Sequence, residues 1–138
     1  MAINLQKKTA LLESIEGEGD VVTAAAFFDG NDDPASFAVN AGEGEEWLAL
    51  AKKTLEQIAG RPGVRGVWCV VTDMMDGEDD CWLYTDTVLV KATASIEDVE
   101  DWSVELAPNE VLVVDPDETP QALGDLGDEE WVYALWWD

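Results

Sequence analysis

Hydrophobic positions recur at helical spacing over one long stretch of the chain. Between Glu43 and Ala59 the apolar side chains fall on one face at three- and four-residue steps; these are Trp47, Leu48, Ala51, Leu55 and Ile58. Carboxylates in the first turn and Gly60 after the last turn suit the helix dipole and a glycine stop. The pattern predicts a helix over 43–59.

Two further stretches, rich in β-branched and aromatic residues, flank an acidic loop. Val64–Thr72 follows the Arg61–Gly63 turn, and Cys81–Ala92 resumes after the loop; both compositions favour strands. Within residues 73–80, Asp76-Gly77 is a dipeptide typical of hairpin turns. The two stretches are therefore predicted to pair as antiparallel strands.

Weaker patterns predict the shorter elements. Ala2–Ile15 contains leucines among good helix formers and favours a short helix, with a strand as the alternative. A capping-box pattern at residues 95–98 predicts a helix from Ile96 to about Leu106. Glu110–Val114 and Glu130–Trp137 favour strands, and the acidic segment between them, with its prolines and glycines, favours a loop.

These elements indicate one continuous domain over residues 1–138. No Pro- or Ser-rich linker divides the chain, and no internal repeat occurs at a period of about 20–50 residues. Helical and strand patterns follow each other irregularly, with a hairpin in the middle. We therefore expect a single α+β domain, in which a mainly antiparallel sheet of about four to five strands packs against about two to three helices.

Charge adds more to this picture than any motif. The 138 residues include 31 acidic and 7 basic side chains, for a formal net charge of -24, while 47% of the residues are hydrophobic. This hydrophobic fraction excludes a chain that is disordered throughout. The scarcity of Lys and Arg excludes direct nucleic-acid binding through a basic patch.

Histidine is absent, which excludes Ser-His, Cys-His and His-metal chemistry. Cys69 and Cys81 are too few for a disulfide framework or a zinc cluster. Two buried thiols in a reducing cytoplasm are expected, with a pairing between them left open. The longest nearly apolar run, Val21–Phe28, is far shorter than the ~20 residues that span a membrane. We therefore expect a cytoplasmic protein without a membrane segment.

One turn has the spacing of a calcium loop. Asp29, Asn31 and Asp33 alternate as ligands would, but Pro34 stands where such a loop needs glycine and Asn40 where it needs a bidentate Glu. Asp, Asn, Gly and Pro each favour turns for reasons of their own. An acidic turn is therefore favoured, and neither a metal nor another cofactor is expected.

The carboxylates of residues 73–80 and that of Asp86 invite a catalytic interpretation. With 31 carboxylates in 138 residues, acidic neighbours are expected everywhere, so a solvated hairpin tip is favoured over a paired catalytic site. Asp86 interrupts a strand of Trp, Leu, Tyr and Val, and a cross-strand or capping role is favoured for it. An enzyme that uses a carboxylate pair or Mg²⁺ is a minor alternative.

Long stretches of the chain carry acidic residues and no basic ones. There are ten between Thr9 and Ala51, six from Gly66 to Val90 and fourteen from Ala92 to Asp138. Such a negative field steers positively charged partners. The leading hypothesis is a non-enzymatic protein that binds and neutralises a basic partner, either a toxin or a protein whose own site binds nucleic acid. A DNA mimic and a housekeeping protein adapted to high salt are the alternatives, and the oligomeric state is left open.

Charge and aromatic exposure predict the contact residues. Trp136 and Trp137 point to opposite faces if the C-terminal segment is a strand, so one of them is expected at the surface. An exposed tryptophan among carboxylates suits a protein-binding anchor. The predicted contact residues are Asp32, Asp33, Asp76, Glu78, Asp79 and Asp80, with Trp136 or Trp137 as the anchor.

Four short segments carry a resemblance to known proteins. They are Phe27–Asp33 (FFDGNDD), Arg61–Val64, Thr85–Val88 (TDTV) and Leu135–Asp138 (LWWD). The combination resembles a group of small acidic bacterial proteins without a defined activity. More loosely, the chain is similar to immunity proteins of bacterial toxin systems, which are small, acidic and α+β. That resemblance implies an inhibitor of a toxin, with a nuclease-type toxin as the expected basic partner.

Overall fold

In the described part of the chain, five strands form one antiparallel sheet, and helices and loops pack around it. The computed structural model describes residues 3–42 and 44–138. In chain order the strands are β1 (Val21–Thr23), β2 (Val64–Val70), β3 (Thr87–Ala92), β4 (Glu110–Val113) and β5 (Trp131–Trp136). They lie in the order β1-β2-β3-β5-β4, and every neighbouring pair is antiparallel. The predicted α+β class is confirmed, as is the pairing of β2 with β3.

The described residues include four α-helices and three short 3₁₀ turns. The helices are α1 (Leu5–Glu13), α2 (Ala24–Phe28), α3 (Gly44–Ala59) and α4 (Ile96–Trp102), and the turns are Val104–Leu106, Pro116–Glu118 and Gln121–Leu123. In this part of the chain no helix has the length and apolar character needed to cross a membrane. The helices predicted from periodicity and capping are confirmed, and α1 is a helix rather than a strand. Of the predicted helical spans, Ala2 and Glu43 lie outside the described residues.

Residues 21–28 hold two elements that the sequence pattern did not predict. β1 passes directly into α2, and the Thr23 hydroxyl, as helix N-cap, accepts a hydrogen bond from Ala26 N at 3.2 Å. A strand of 3 residues and a helix of 5 are too short to show a period in their apolar side chains. The apolar run over residues 21–28 therefore gave no sign that the chain changes there from a strand to a helix.

The strand predicted over Cys81–Ala92 is wrong in its first half and begins only at Thr87. The Thr85 hydroxyl accepts a hydrogen bond from Thr87 N at 3.2 Å and donates one to Thr87 O at 2.9 Å. Such local bonds compete with a strand ladder. Residues 71–86 therefore form one long connection from β2 to β3. The remaining strand ends fall within two residues of the predicted ones.

The two faces of the sheet are covered differently. The first face packs against α2, α3 and α4 and carries the main core, which includes the fully buried Phe37, Leu55, Val88, Leu135 and Trp137. The second face carries a smaller buried cluster of Val21, Leu89, Leu123 and Val132. Leu123 belongs to the acidic loop Asp115–Glu129, which lies across part of this face. The sheet is thus a middle layer between helices and a loop.

A buried lysine holds the acidic loop on the second face. Lys91 of β3 is only 8% exposed, and its Nζ donates to the backbone oxygens of Leu123 at 2.8 Å and Asp125 at 2.9 Å. Both acceptors are carbonyls rather than carboxylates. Charge-assisted bonds of this kind contribute about 1.5–3 kcal/mol each. The loop therefore docks through its backbone, and its carboxylates are left to the solvent.

Glu130 completes this docking point at the start of β5. Its Oε1 accepts from Gly127 N at 2.7 Å, its Oε2 accepts from Arg65 Nε at 2.9 Å, and Lys91 Nζ lies 3.8 Å from Oε1. The Gly127 N–H, the Arg65 guanidinium and the Lys91 charge together hold the pKa of Glu130 below its ordinary value.

A second buried lysine holds the other long connection. Lys8 of α1 is 2% exposed, and its Nζ donates to the backbone oxygens of Met75 and Glu78, both at 2.7 Å. These two carbonyls lie within residues 73–80, called the acidic tip from here on. As at Lys91, the ammonium group binds the backbone of an acidic loop from the inside.

Replacing Glu130 with Gln should make stability less dependent on pH in the acid range. Because the folded pKa lies below the ordinary value of 4.5, the stabilisation is complete above 4.5 and is lost as the pH falls through the folded pKa. Urea unfolding should therefore show a difference between wild type and E130Q that is largest near neutral pH and shrinks below about pH 4. The neighbouring exposed variant E129Q is the control. A difference that stays constant down to pH 3 would contradict the role of the Glu130 charge.

Replacing Lys8 with Met should loosen the acidic tip, because the Met75 and Glu78 carbonyls lose their ionic donor. The expected loss of stability is about 1–3 kcal/mol, with faster amide exchange across residues 73–80. Lys7→Met is the matched control, since it removes the same charge from the same helix but breaks only the exposed ion pair with Asp29 at 2.6 Å. That pair is worth about 0–1 kcal/mol. Equal exchange in the two variants would contradict the proposed clamp.

Candidate functional site

The acidic tip is a defined turn rather than a loose loop. Asp73 Oδ1 accepts a hydrogen bond from Met75 N at 2.9 Å, and Glu78 N donates to Met75 O at 3.2 Å. Met75 and Gly77 both have positive φ, at 50° and 84°, which tightens the turn. With Lys8 bound beneath, this backbone presents the exposed carboxylates of Asp76, Glu78, Asp79 and Asp80 in addition to that of Asp73.

The acidic turn after α2 is joined to the segment that follows the tip. Asp33 Oδ2 accepts from Trp82 N at 2.9 Å, while Asp33 Oδ1 accepts from Ala35 N at 3.0 Å. The buried Asn31 supports the turn, with its Oδ1 accepting from Asp33 N at 3.0 Å. Both oxygens of Asp33 are thus engaged within the protein. Asp33, predicted as a contact residue, braces the turn, whereas Asp32 is exposed.

The predicted acidic segments therefore meet in space. Their joint field acts on the half-buried Cys81: burial raises the pKa of its thiol, and the carboxylates of Asp33, Glu78 and Asp80 raise it further, against an opposing effect of Lys8. Cys81 is a free thiol, as is Cys69, which is buried in β2. The pairing of these two cysteines, left open by the sequence, is absent.

The two C-terminal tryptophans do point to opposite faces of the sheet. Trp137 is completely buried on the first face, where its Nε1 donates to Leu106 O at 2.7 Å and its ring lies edge-on to Phe37 at 5.1 Å. Its prediction as a possible anchor is therefore wrong. Trp136 lies half-buried on the second face, paired with Thr87 at the start of β3. Trp136 is thus the aromatic surface at the base of the connection that carries the acidic tip.

Asp86 has a structural role in this connection, as the sequence favoured. Its Oδ1 accepts hydrogen bonds from Thr72 Oγ1 at 3.1 Å and Thr87 Oγ1 at 2.9 Å. Its backbone oxygen accepts from Trp137 N at 3.0 Å. Asp86 thus ties the two ends of the connection to each other and to the C-terminus.

The carboxylates are spread over a surface and do not converge. Within residues 3–42 and 44–138, no group of three or more His, Cys, Asp or Glu side chains is placed to hold a metal ion. The geometry instead offers fixed negative charges at the acidic tip and a partly exposed tryptophan ring next to Thr87, where the same connection ends. Such an arrangement attracts and orients a cationic partner.

An apolar groove lies beside α2, and the sequence did not predict it. Its volume is about 250 Å³, and it lies between α2, α3 and β2. Phe28, Leu55 and Trp68 are among the residues that line it, and the Trp68 ring lies directly over Gly66, where a Cβ atom would clash with it. These residues are far apart in the chain, and only the packing of α3 on β2 brings them together.

Comparisons with known proteins give a family and no named activity. No curated protein matches the chain, and no solved structure does. One family model matches residues 5–135, from the start of α1 to within β5, and its description is "Uncharacterized protein YfbO family". The chain belongs to the YfbO family of uncharacterized proteins.

Proposed function

We propose that this protein is a non-enzymatic acidic binding protein that neutralises a basic partner. The proposed partner is a nuclease-type bacterial toxin, which would make the protein an immunity protein. The observation that carries the proposal is the preformed acidic tip, whose backbone is bound from inside by Lys8 while its carboxylates face the solvent.

The use of the cations makes the surface more acidic than the composition alone suggests. Lys8 and Lys91 are buried against backbone carbonyls, and among the described carboxylates only that of Glu130 forms a salt bridge with either, at 3.8 Å from Lys91 Nζ. Lys7 and Arg65 are each paired with one carboxylate. Most of the 31 acidic side chains therefore contribute to the external field. Such a field accelerates encounter with a basic protein.

The shape of the tip favours tight binding as well as fast encounter. Because Lys8 and Asp33 already order this region, a partner would not have to immobilise a flexible loop. Trp136 supplies apolar surface at the base of the same connection. Carboxylates would then set the association rate, and the tryptophan would slow dissociation.

A nuclease suits this surface because its own site must attract phosphates. The cations that line a phosphate path would accept carboxylates in their place, and the enzyme would be blocked from its substrate. Immunity proteins of toxin systems are likewise small, acidic and α+β, which supports a toxin as the class of partner. A capture experiment tests the proposal, with this protein as bait in lysate of its source organism at about 50 and about 200 mM salt.

Neutralising the acidic tip should weaken capture by at least tenfold and slow association. The variant carries Asp76→Asn, Glu78→Gln, Asp79→Asn and Asp80→Asn, and surface plasmon resonance against the captured partner measures the rate. A matched control removes four exposed charges elsewhere, through Glu16→Gln, Glu18→Gln, Glu45→Gln and Glu46→Gln. An equal loss in the control would mean that only net charge matters. Recovery of no basic protein at either salt would contradict the proposed function.

Replacing Trp136 with Ala should speed dissociation of the same complex about 30-fold, the effect of losing a central aromatic contact of about 2 kcal/mol. The association rate should stay within a factor of about three, because the charges are unchanged. Trp136→Phe keeps an apolar ring and should recover part of the lifetime. Unchanged dissociation in Trp136→Ala would remove Trp136 from the interface.

A further inference from the structure

Strand β4 is an edge of the sheet with one side unoccupied by the described residues. It pairs with β5 alone, and Val114 N, just after the strand, donates to Val132 O at 2.8 Å. Hydrogen-bonded and non-hydrogen-bonded positions alternate in an antiparallel pair. The backbone N–H and C=O groups of Leu112, two residues before Val114, therefore also point toward β5. The backbone N–H and C=O groups of Val111 and Val113 therefore point to the free edge.

This edge is apolar on both faces. Leu112 lies on the second face and is 48% exposed, while Val113 lies on the first face and is 51% exposed. Trp131, also 48% exposed, is a diagonal cross-strand neighbour of Val113, because Val113 pairs with Tyr133 two residues further along β5. Native proteins usually protect such an edge with lysine, proline or a covering segment. Here apolar side chains line it.

Carboxylates occur near both ends of this apolar edge and on the helix that contacts β4. Glu110 and Asp115 stand at the two ends of β4, and α4, which contacts β4, carries the exposed Glu97, Asp98, Glu100 and Asp101. The negative charge of α4 also acts on a residue of β5. Burial raises the pKa of Tyr133, and the charges of Glu97 and Asp98 raise it further. No basic residue occurs between Ala92 and Asp138.

We propose that the free edge of β4 binds an extended segment of the basic partner as an added strand. The middle of that segment would contain alternating apolar residues that pack against Leu112, Val113 and Trp131. Lysines or arginines at its two ends would lie against the flanking carboxylates. A second copy of this chain is a poor occupant, because it would bring the same carboxylates to the edge. The inference rests on the proposed function and adds a second contact to it.

The test uses a synthetic peptide of five alternating Val and Thr residues with two lysines at each end. Amide chemical shifts of the ¹⁵N-labelled protein should move at Val111 and Val113 on titration, and affinity should fall as salt rises. A peptide with glutamates in place of the lysines should not bind. Val113→Pro removes an outward N–H at a position where an edge strand tolerates proline, and it should weaken binding at least tenfold. Val113→Thr keeps the N–H and should lose far less.

Several outcomes would overturn the edge-pairing inference. They are no shift at β4 with the lysine peptide, equal binding by Val113→Pro, equal binding of the glutamate peptide, and a concentration-dependent dimer that Val113→Pro abolishes. If Val113→Pro fails to fold by circular dichroism, Val111→Pro replaces it. Partner capture that survives Val113→Pro but is lost in the tip variant would overturn this inference alone. Capture that neither variant affects would overturn the proposed function.

Discussion

The bond between a buried ammonium group and backbone carbonyls is the interaction on which this structure depends. Lys8 lies in helix α1 and Lys91 in strand β3, yet each binds two carbonyl oxygens of an acidic connection at 2.7 to 2.9 Å. Removing an ammonium group from water is costly unless strong acceptors replace its hydration. The carbonyls meet most of that requirement, and the one carboxylate near either lysine is that of Glu130, 3.8 Å from Lys91 Nζ. The protein can therefore order its most acidic segments while leaving their charges in water.

As a result, positive and negative charges lie at different depths below the protein surface. Two of the seven basic side chains are buried beneath loops, whereas the acidic side chains are mostly exposed. Mutual repulsion among exposed carboxylates destabilises a compact chain. The buried lysines offset this locally, since each lies below a loop that would otherwise be pushed outward by its neighbours. Glu130 is the exception among the carboxylates, because its bonds to Arg65 and Gly127 are part of the docking itself.

The sequence predicted those parts of the fold in which side-chain spacing reflects local geometry. Helix α3 follows from its apolar period, and the β2–β3 pair from two β-rich runs around Asp76-Gly77. Periodicity could not divide Val21–Phe28 into a strand and a helix, because neither is long enough to repeat. The sequence also showed that Trp136 and Trp137 face opposite ways. Only the packing of Phe37 and Leu106 decided that Trp137 is the buried one.

The sequence predicted which acidic residues form the candidate site, but not the contacts that hold them in place. Residue type and charge identified the acidic tip and Asp32. The roles of Lys8 and Asp33 depend on contacts across 67 and 49 residues of sequence, for which a single chain carries no signal. The free edge of β4 was likewise invisible, because strand order rather than strand composition makes it an edge.

The same long-range contacts give the acidic tip a place in the order of folding. Closing loops of this length costs chain entropy before any contact compensates for it, so such contacts form with or after the sheet. A chain that has collapsed without docking α1 carries the same charges but lacks the turn that Lys8 and Asp33 define. Binding that depends on this shape would therefore distinguish the folded protein from a collapsed chain in which α1 has not yet docked.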